Sequence, residues 1–333
     1  MKPAVEITSA RTTKKGTDAR RIIQFGLQYG IYILFLALVV AMSFATSTFL
    51  TWSNIVNVLL QTSVIAVIAI GMTLVIITQG IDVSVGGIVA IASAVGVGLM
   101  KLAGAPWWLG MLAILAVGVL FGLVNGVSVA YLKMPAFLVT LATMGIGRGL
   151  TLAFSGGRSW FNLPPQFAVL RQGYVGPIPA SIAVVAVLYV LSHVLLSHTT
   201  FGRRVYAVGG NPEAAVVSGI NVKRIILSVF VLSGLFSGVA SVLLTARLNA
   251  FWASMGTGFE FSAIAAVVIG GTSLSGGVGN LGGTLIGVLI IGVINNSLNL
   301  LGVSAFWQDV ARGCIIFIAV MLDSLQTQFV RRD

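Results

Sequence analysis

The sequence predicts an all-α integral membrane protein, a polytopic bundle of about ten transmembrane helices with both termini in the cytoplasm. Three observations carry that reading. Of the 333 residues, 57% are hydrophobic and 8% charged, with a mean hydropathy of +1.05. Soluble domains carry about 25% charged residues, so this chain has too few to cover a surface in water. Apolar runs of roughly 20 residues, the length that crosses a hydrocarbon core about 30 Å thick, follow one another almost end to end. Lys and Arg gather in alternate loops, which marks a fixed orientation in the bilayer.

Residues 1 to 22 hold Lys2, Arg11, Lys14, Lys15, Arg20 and Arg21 against Glu6 and Asp18. They read as a basic cytoplasmic tail, disordered at its start. The chain divides into that tail over 1–25, a transmembrane domain over 26–325 with a long cytoplasmic loop at 199–224, and a cytoplasmic C-terminal tail over 326–333. About thirty polar and mixed residues precede the first apolar run, unlike a secretory signal, so that run is a retained helix. The expected helices cover roughly 30–48, 57–78, 82–101, 107–131, 135–154, 177–197, 225–246, 261–273, 281–299 and 306–323, the eighth being short. Ten passes starting inside put the tail cations, Lys133, Arg203, Arg204, Lys223, Arg224, Arg331 and Arg332 in the cytoplasm, and only Lys101, Arg158, Arg171 and Arg247 outside.

Glycines recur at four-residue spacing inside the runs: Gly118, Gly122 and Gly126; Gly234 and Gly238; Gly283 and Gly287. Such small-residue faces let helix backbones approach closely in lipid, and the expectation is ordinary packing within one bundle.

Several functions are excluded. The net charge of +11 reports membrane topology before any nucleic-acid partner. Cys314 is the single cysteine, so there is no disulfide framework, and His193 and His198, five residues apart, suit a membrane interface better than a metal. No G-x-x-x-x-G-K-[ST] phosphate loop occurs, so the chain is not itself an ATPase. Gly277, Gly279 and Gly282 satisfy G-x-G-x-x-G, but between apolar segments rather than after a strand, so no dinucleotide site is read there. No His or carboxylate cluster on one helix face supports a membrane-embedded enzyme.

Polar groups within the apolar runs are the functional candidates, because charge is costly in lipid. They are Asp82, Arg148, Glu260, Asp309 and Arg312, with the amides of Gln79, Asn125, Asn295 and Asn296. Asp309 and Arg312, three apart on one helix, form a structural pair. Asp82 and Ser84 occupy a Gly-rich break between two runs, where unwound backbone must line protein or water. A gate role and a plain turn or helix cap select the same residues there. The spacing Gly80, Ser84, Gly86 recurs at Gly271, Ser275, Gly277, as a trace of an internal repeat would. The aromatics between Phe251 and Phe259 fit a membrane interface, with contact to a solute as the alternative. The candidate substrate path is therefore Gln79, Asp82, Ser84, Glu260, Asn295 and Asn296.

The long polar segment from His198 to Arg224 contains a second kind of signal. Asn211 before Pro212 suits a helix N-cap with proline at the first helical position, Glu213 suits the first turn, and Gly219 closes the helix. A short helix lying at the cytoplasmic face is what a membrane subunit needs to engage a soluble motor.

Within that segment, Gly202, Arg203, Tyr206, Ala207, Val208, Gly209, Asn211, Ala214, Ala215, Gly219 and Ile220 resemble the coupling loop of ribose-type permeases of bacterial ATP-binding-cassette importers. Two further segments agree in order: Gly71-Met72-Thr73-Leu74-Val75-Ile76 leading into Gly80–Gly86, and Ala263 to Leu274 followed by Gly276-Gly277. The resemblance covers about residues 30 to 323. Val83 stands where the family has leucine and Ser262 where it has an acidic residue, which puts a substrate role for position 262 in doubt.

The resemblance implies a permease subunit that imports a ribose-like monosaccharide across the bacterial inner membrane. It implies no cofactor in this chain, with ATP and Mg bound by a partner ATPase. The implied partners are a second permease copy, a cytoplasmic ATP-binding-cassette subunit (one fused chain or two), a periplasmic sugar-binding protein and membrane lipid, with no nucleic acid. Coupling to the ATPase falls on Gly202, Arg203, Arg204, Gly209, Asn211, Glu213, Ala214, Ala215 and Gly219. A permease for a nucleoside or branched-chain amino acid is the nearest alternative. An ion-coupled secondary transporter, using Asp82, Glu260 or Asp309, is the alternative from another class.

Overall fold

A computed structural model describes residues 15–330. Residues 1–14 and 331–333, with Lys2, Glu6, Arg11, Lys14, Arg331 and Arg332, lie outside the described residues. The helices in order are α1 (Lys15–Ala45), α2 (Trp52–Ile77), α3 (Val85–Leu102), α4 (Trp107–Ala130), α5 (Ala136–Ser155), α6 (Ala168–Gln172), α7 (Ala180–His198), α8 (Thr200–Gly210), α9 (Pro212–Val217), α10 (Val222–Leu248), α11 (Phe259–Ile269), α12 (Leu281–Leu300) and α13 (Ala305–Val330). Each of the ten apolar runs corresponds to one helix. Seven of these, α2, α3, α4, α5, α7, α10 and α12, are long and apolar enough to cross a membrane.

Three elements depart from the expected boundaries. α11 has 11 residues, about 16 Å at 1.5 Å per residue, or half of a 30 Å core; Gly270 and Gly271 stop it. α1 begins at Lys15, inside the stretch read as tail, and its apolar part is Gly30–Ala45. α13 runs to Val330, past the boundary expected at 325.

Element ends follow the local sequence. Pro106, Pro135 and Pro179 stand immediately before α4, α5 and α7, where a missing N–H is harmless. Thr51, Asn221 and Asn280 accept from backbone N–H groups at the starts of α2, α10 and α12. The connection from α5 to α7 carries β1 (Trp160–Phe161), α6 and the β2–β3 hairpin (Tyr174–Val175, Ile178–Pro179). β1 pairs with β4 (Ala250–Phe251), stacking Trp160 on Phe251 with ring centroids 4.9 Å apart. That contact buries Phe251 completely and takes it out of reach of any solute.

α2 and α3 form the buried centre, and α10 packs on α2, α3 and α4. The glycine faces meet inside the bundle. A Cβ at Gly118 would collide with the Gly234 carbonyl oxygen, and one at Gly234 with the Gly118 oxygen; Gly122 sits against Phe230 O in the same way. Gly283 and Gly287 face Gly270 and Ala266 across the α11–α12 contact. These faces serve helix packing within the chain, as their spacing predicts.

Candidate functional site

The segment between α7 and α10 folds into two short helices that share a capping residue, Asn211. Thr199 caps α8 by accepting from Gly202 N at 3.3 Å. α8 is amphipathic: Val205, Val208 and Gly209 are buried, while Arg203 and Arg204 are exposed. The Asn211 N–H bonds back to Ala207 O at 3.1 Å and ends α8. Its Oδ1 accepts from Ala214 N at 2.9 Å and starts α9, with Pro212 at the first position and Glu213 in the first turn. Ala215 is buried, and Gly219, at φ +78°, makes the turn toward α10. The sequence anticipated α9 but not α8. TFGRRVYAVGG has no apolar run, and three of its eleven residues are glycine.

α8 is fixed to the rest of the bundle largely through backbone. A Cβ at Gly202 would overlap Leu196 O, and one at Gly209 would overlap Ile77 O, so glycine alone permits these approaches. Gln79, at φ +64°, donates from Nε2 to Gly209 O at 2.7 Å. The Gly277 N–H donates to Ile77 O at 2.9 Å. Tyr206 Oη donates to Gly279 O at 2.7 Å, and burial raises its phenol above the ordinary pKa of 10.0. The end of α2, the C-terminus of α8 and the α11–α12 connection therefore meet at one knot. The G-x-G-x-x-G run supplies glycines to that knot; at Gly276 (φ +82°) and Gly277 (φ +73°) the backbone turns left-handed.

Beyond this knot the break between α2 and α3 closes on itself. Asp82 is fully buried. Its Oδ1 accepts from Ser84 N at 3.0 Å and Ser84 Oγ at 2.5 Å, and its Oδ2 accepts from Ser233 Oγ at 2.7 Å. Asn125 Nδ2 donates to Ser84 Oγ at 2.9 Å, and Thr143 Oγ donates to Asn125 Oδ1 at 2.8 Å. Thr140 bonds to both Ile81 O and Val83 N. The network joins α4, α5 and α10 to the break, which is the arrangement of a turn and helix start. The matching spacing at Gly271–Gly277 has different geometry: Ser275 is exposed, and Gly271 has φ +84° whereas Gly80 has no positive φ.

The remaining path candidates are dispersed. Glu260 is buried, its Oε1 accepts from Gly258 N at 3.3 Å, and its Oε2 has no partner among the described residues. It lies over Gly86 together with Arg148, which donates to Met255 O at 2.8 Å. Asn296 pairs amide to amide with Asn54 at 2.8 and 3.0 Å. Asn295, its neighbour, instead lines a cavity of about 420 Å³ between α2, α10, α11, α12 and α13. Asp309 and Arg312 pair at 3.0 Å as expected, and Arg312 also reaches that cavity.

Sequence reasoning did not find the cavity, although Asn57 and Gln61, four apart on apolar α2 and bonded to each other at 3.1 Å, were a signal for it. Ser262 lines it too. Among the described residues no group of three His, Cys, Asp or Glu is placed to hold a metal ion.

A multi-pass helical bundle with an exposed pair of short helices, anchored by backbone contacts where two inter-helix connections meet, has the build of a transport permease. The chain belongs to the family described as the branched-chain amino acid transport system permease component, whose model matches residues 54–320. It is 43% identical over 317 residues to the ribose import permease protein RbsC of Bacillus subtilis, covering 94% of this chain and 98% of that one. It is 40% identical over 315 residues to RbsC of Haemophilus influenzae, covering 93% and 97%. It is 39% identical over 317 residues to the galactose/methyl galactoside import permease protein MglC of Salmonella typhimurium, covering 89% and 94%. No solved structure matches the chain.

Proposed function

We propose that this chain is the membrane-spanning permease subunit of an ATP-binding-cassette importer that moves a monosaccharide inward across the bacterial inner membrane. Two copies pair in the membrane, each with about ten passes and cytoplasmic termini. Cytoplasmic partner subunits bind ATP and Mg, and a periplasmic sugar-binding protein delivers the solute. The names of the relatives, ribose and galactose permeases matched over nearly their whole length, support a sugar over an amino acid.

The observation that carries the coupling role is the exposed tip of α8 and α9. Arg203, Arg204 and Glu213 are exposed there beside Val216 and Val217, which are 61% and 89% exposed. Two exposed valines flanked by charges suit a protein contact. Closure of the ATPase pair pushes on α9, α8 moves as one piece with it, and the contacts of Gly209 and Gln79 pass the displacement to the α2–α3 break and the α11–α12 connection. The chain itself makes and breaks no covalent bond.

The test is ATP hydrolysis by the reconstituted complex, with Arg203→Ala and Glu213→Ala compared with the unaltered chain and assembly checked separately. Sugar-loaded binding protein should stimulate ATP turnover, and the two changes should abolish the stimulation. Solute movement by the purified chain alone, driven by an ion gradient and indifferent to ATP, would replace this reading with a secondary transporter.

A further inference from the structure

The cavity of about 420 Å³ lies at the end of the bundle opposite α8 and α9. It is walled by the N-terminal half of α2, the C-terminal end of α10, the middle and C-terminal part of α12, the first turn of α11 and Arg312 of α13. Its volume falls in the range of about 300–1,000 Å³ typical of small-ligand sites. Gln61, Asn295, Arg247 and Arg312 contribute polar groups to its wall, and Phe259 contributes an aromatic surface.

Elsewhere in this bundle most buried polar side chains answer one another: Asn296 with Asn54, Asn125 with Ser84 and Thr143, Ser93 with Ser241 and Thr245. On the cavity wall Gln61 answers Asn57 at 3.1 Å, but other polar groups there are not matched in this way. Arg312 Nε is buried without a hydrogen-bond partner among the described residues. Asn295, half-buried, presents its amide on the same wall. Arg247 uses one guanidinium N–H on Leu60 O at 2.8 Å and keeps further donors for another acceptor. Spare donors on the wall of a partly buried cavity favour a ligand that supplies acceptors.

No carboxylate lines the cavity, so an ammonium or other cation has no counter-charge there. The positive charge of Arg312 is balanced by Asp309 at 3.0 Å. What fits is a ligand rich in oxygen acceptors with an apolar ring face for Phe259. The geometry points to this cavity, formed by the helices of a single protomer, as a holding site for a neutral single-ring polyhydroxylated solute on its way through the permease. This assignment rests on the importer reading above and adds to it the site and the residues that hold the solute.

Thiol protection tests it directly. Cys314 is the sole cysteine, so Cys314→Ser with Asn295→Cys places one thiol on the cavity wall of the complete transporter. Ribose and galactose, the probes, should slow N-ethylmaleimide labelling at 295 several-fold at saturating concentration, whereas mannitol-free buffer adjusted with sodium chloride to equal osmolarity should not. In parallel, Asn295→Leu should lower the maximal rate of sugar uptake at least tenfold in vesicles where assembly with the ATPase is verified. Labelling that the sugars leave unchanged, or full uptake by an assembled Asn295→Leu transporter, overturns the holding site. Neither result touches the importer reading, which is tested separately by whether sugar-loaded binding protein stimulates ATP hydrolysis in the unaltered complex. If Asn295→Leu fails to assemble, thiol protection alone decides.

Discussion

The two ends of the bundle treat their polar groups in opposite ways. At the α8–α9 end, backbone meets backbone: Gly209 on Ile77, Gly277 on Ile77, with Gln79 and Tyr206 closing the remaining carbonyls. At the other end, Asn295 lines a cavity, and Arg312 Nε lies buried beside it without a partner among the described residues. A knot of satisfied hydrogen bonds suits the transmission of force, because it cannot yield without breaking several contacts at once. A cavity whose polar groups keep hydrogen-bonding capacity to spare suits brief occupancy by a polar solute. The difference teaches that one helix, α2, contributes to both, with Gln61 at the cavity and Ile77 at the knot.

Substitutions can break this contrast, and the largest effect is expected at Gly209. Gly209→Val drives a side chain into the Ile77 carbonyl, and ATP hydrolysis should lose its response to loaded binding protein entirely while the membrane helices still fold, as seen by circular dichroism. Gln79→Leu should come next. It leaves Gly209 O without its side-chain donor, at about 1–3 kcal/mol for an unsatisfied buried acceptor, and a roughly tenfold fall in coupled uptake is the outcome to look for.

Asn54→Ala sharpens the comparison from the other side. It strands the Asn296 amide at about 1–3 kcal/mol, so thermal unfolding in detergent should shift downward while the ATPase remains attached. If Asn54→Ala instead detached the ATPase, the division between the two ends would be wrong.

Tyr206→Phe should be the mildest, about 0.5–1.5 kcal/mol for one hydrogen bond. Its sign with pH is fixed. The phenol pKa is raised by burial, so the folded form favours the protonated donor. The stabilisation is complete below 10.0 and is lost as pH rises through the elevated folded value. Thermal stability from pH 6 to 9 should therefore show a constant gap between Tyr206→Phe and the parent, with no titration in that window.

Much of the fold was legible because lipid imposes long apolar runs, and each expected run holds a helix. α9 was legible from three residues, Asn211, Pro212 and Gly219, whose backbone demands are local. α8 was not, since its stability comes from Val205 and Val208 packing on other helices rather than from its own composition. The site divided along the same line. Asn295 and Asn296 are adjacent in sequence and alike in chemistry, yet one lines a cavity and the other pairs with Asn54. Successive residues on a helix point about 100° apart, and only the positions of neighbouring helices decide what each meets. Asp82 stood out as a charge in an apolar setting, but its hydroxyl partner Ser233 comes from a distant helix, α10.

The glycine contacts also have a genetic consequence. At Gly118, Gly202, Gly209 and Gly234 the atom that any other residue would add falls on a neighbouring carbonyl oxygen, so every missense codon change at these positions introduces the same collision. In a saturation library selected for growth on the imported solute, these four codons should be depleted of all replacements, alanine included. Asn295, by contrast, should show graded tolerance that follows the hydrogen-bonding capacity of the replacement.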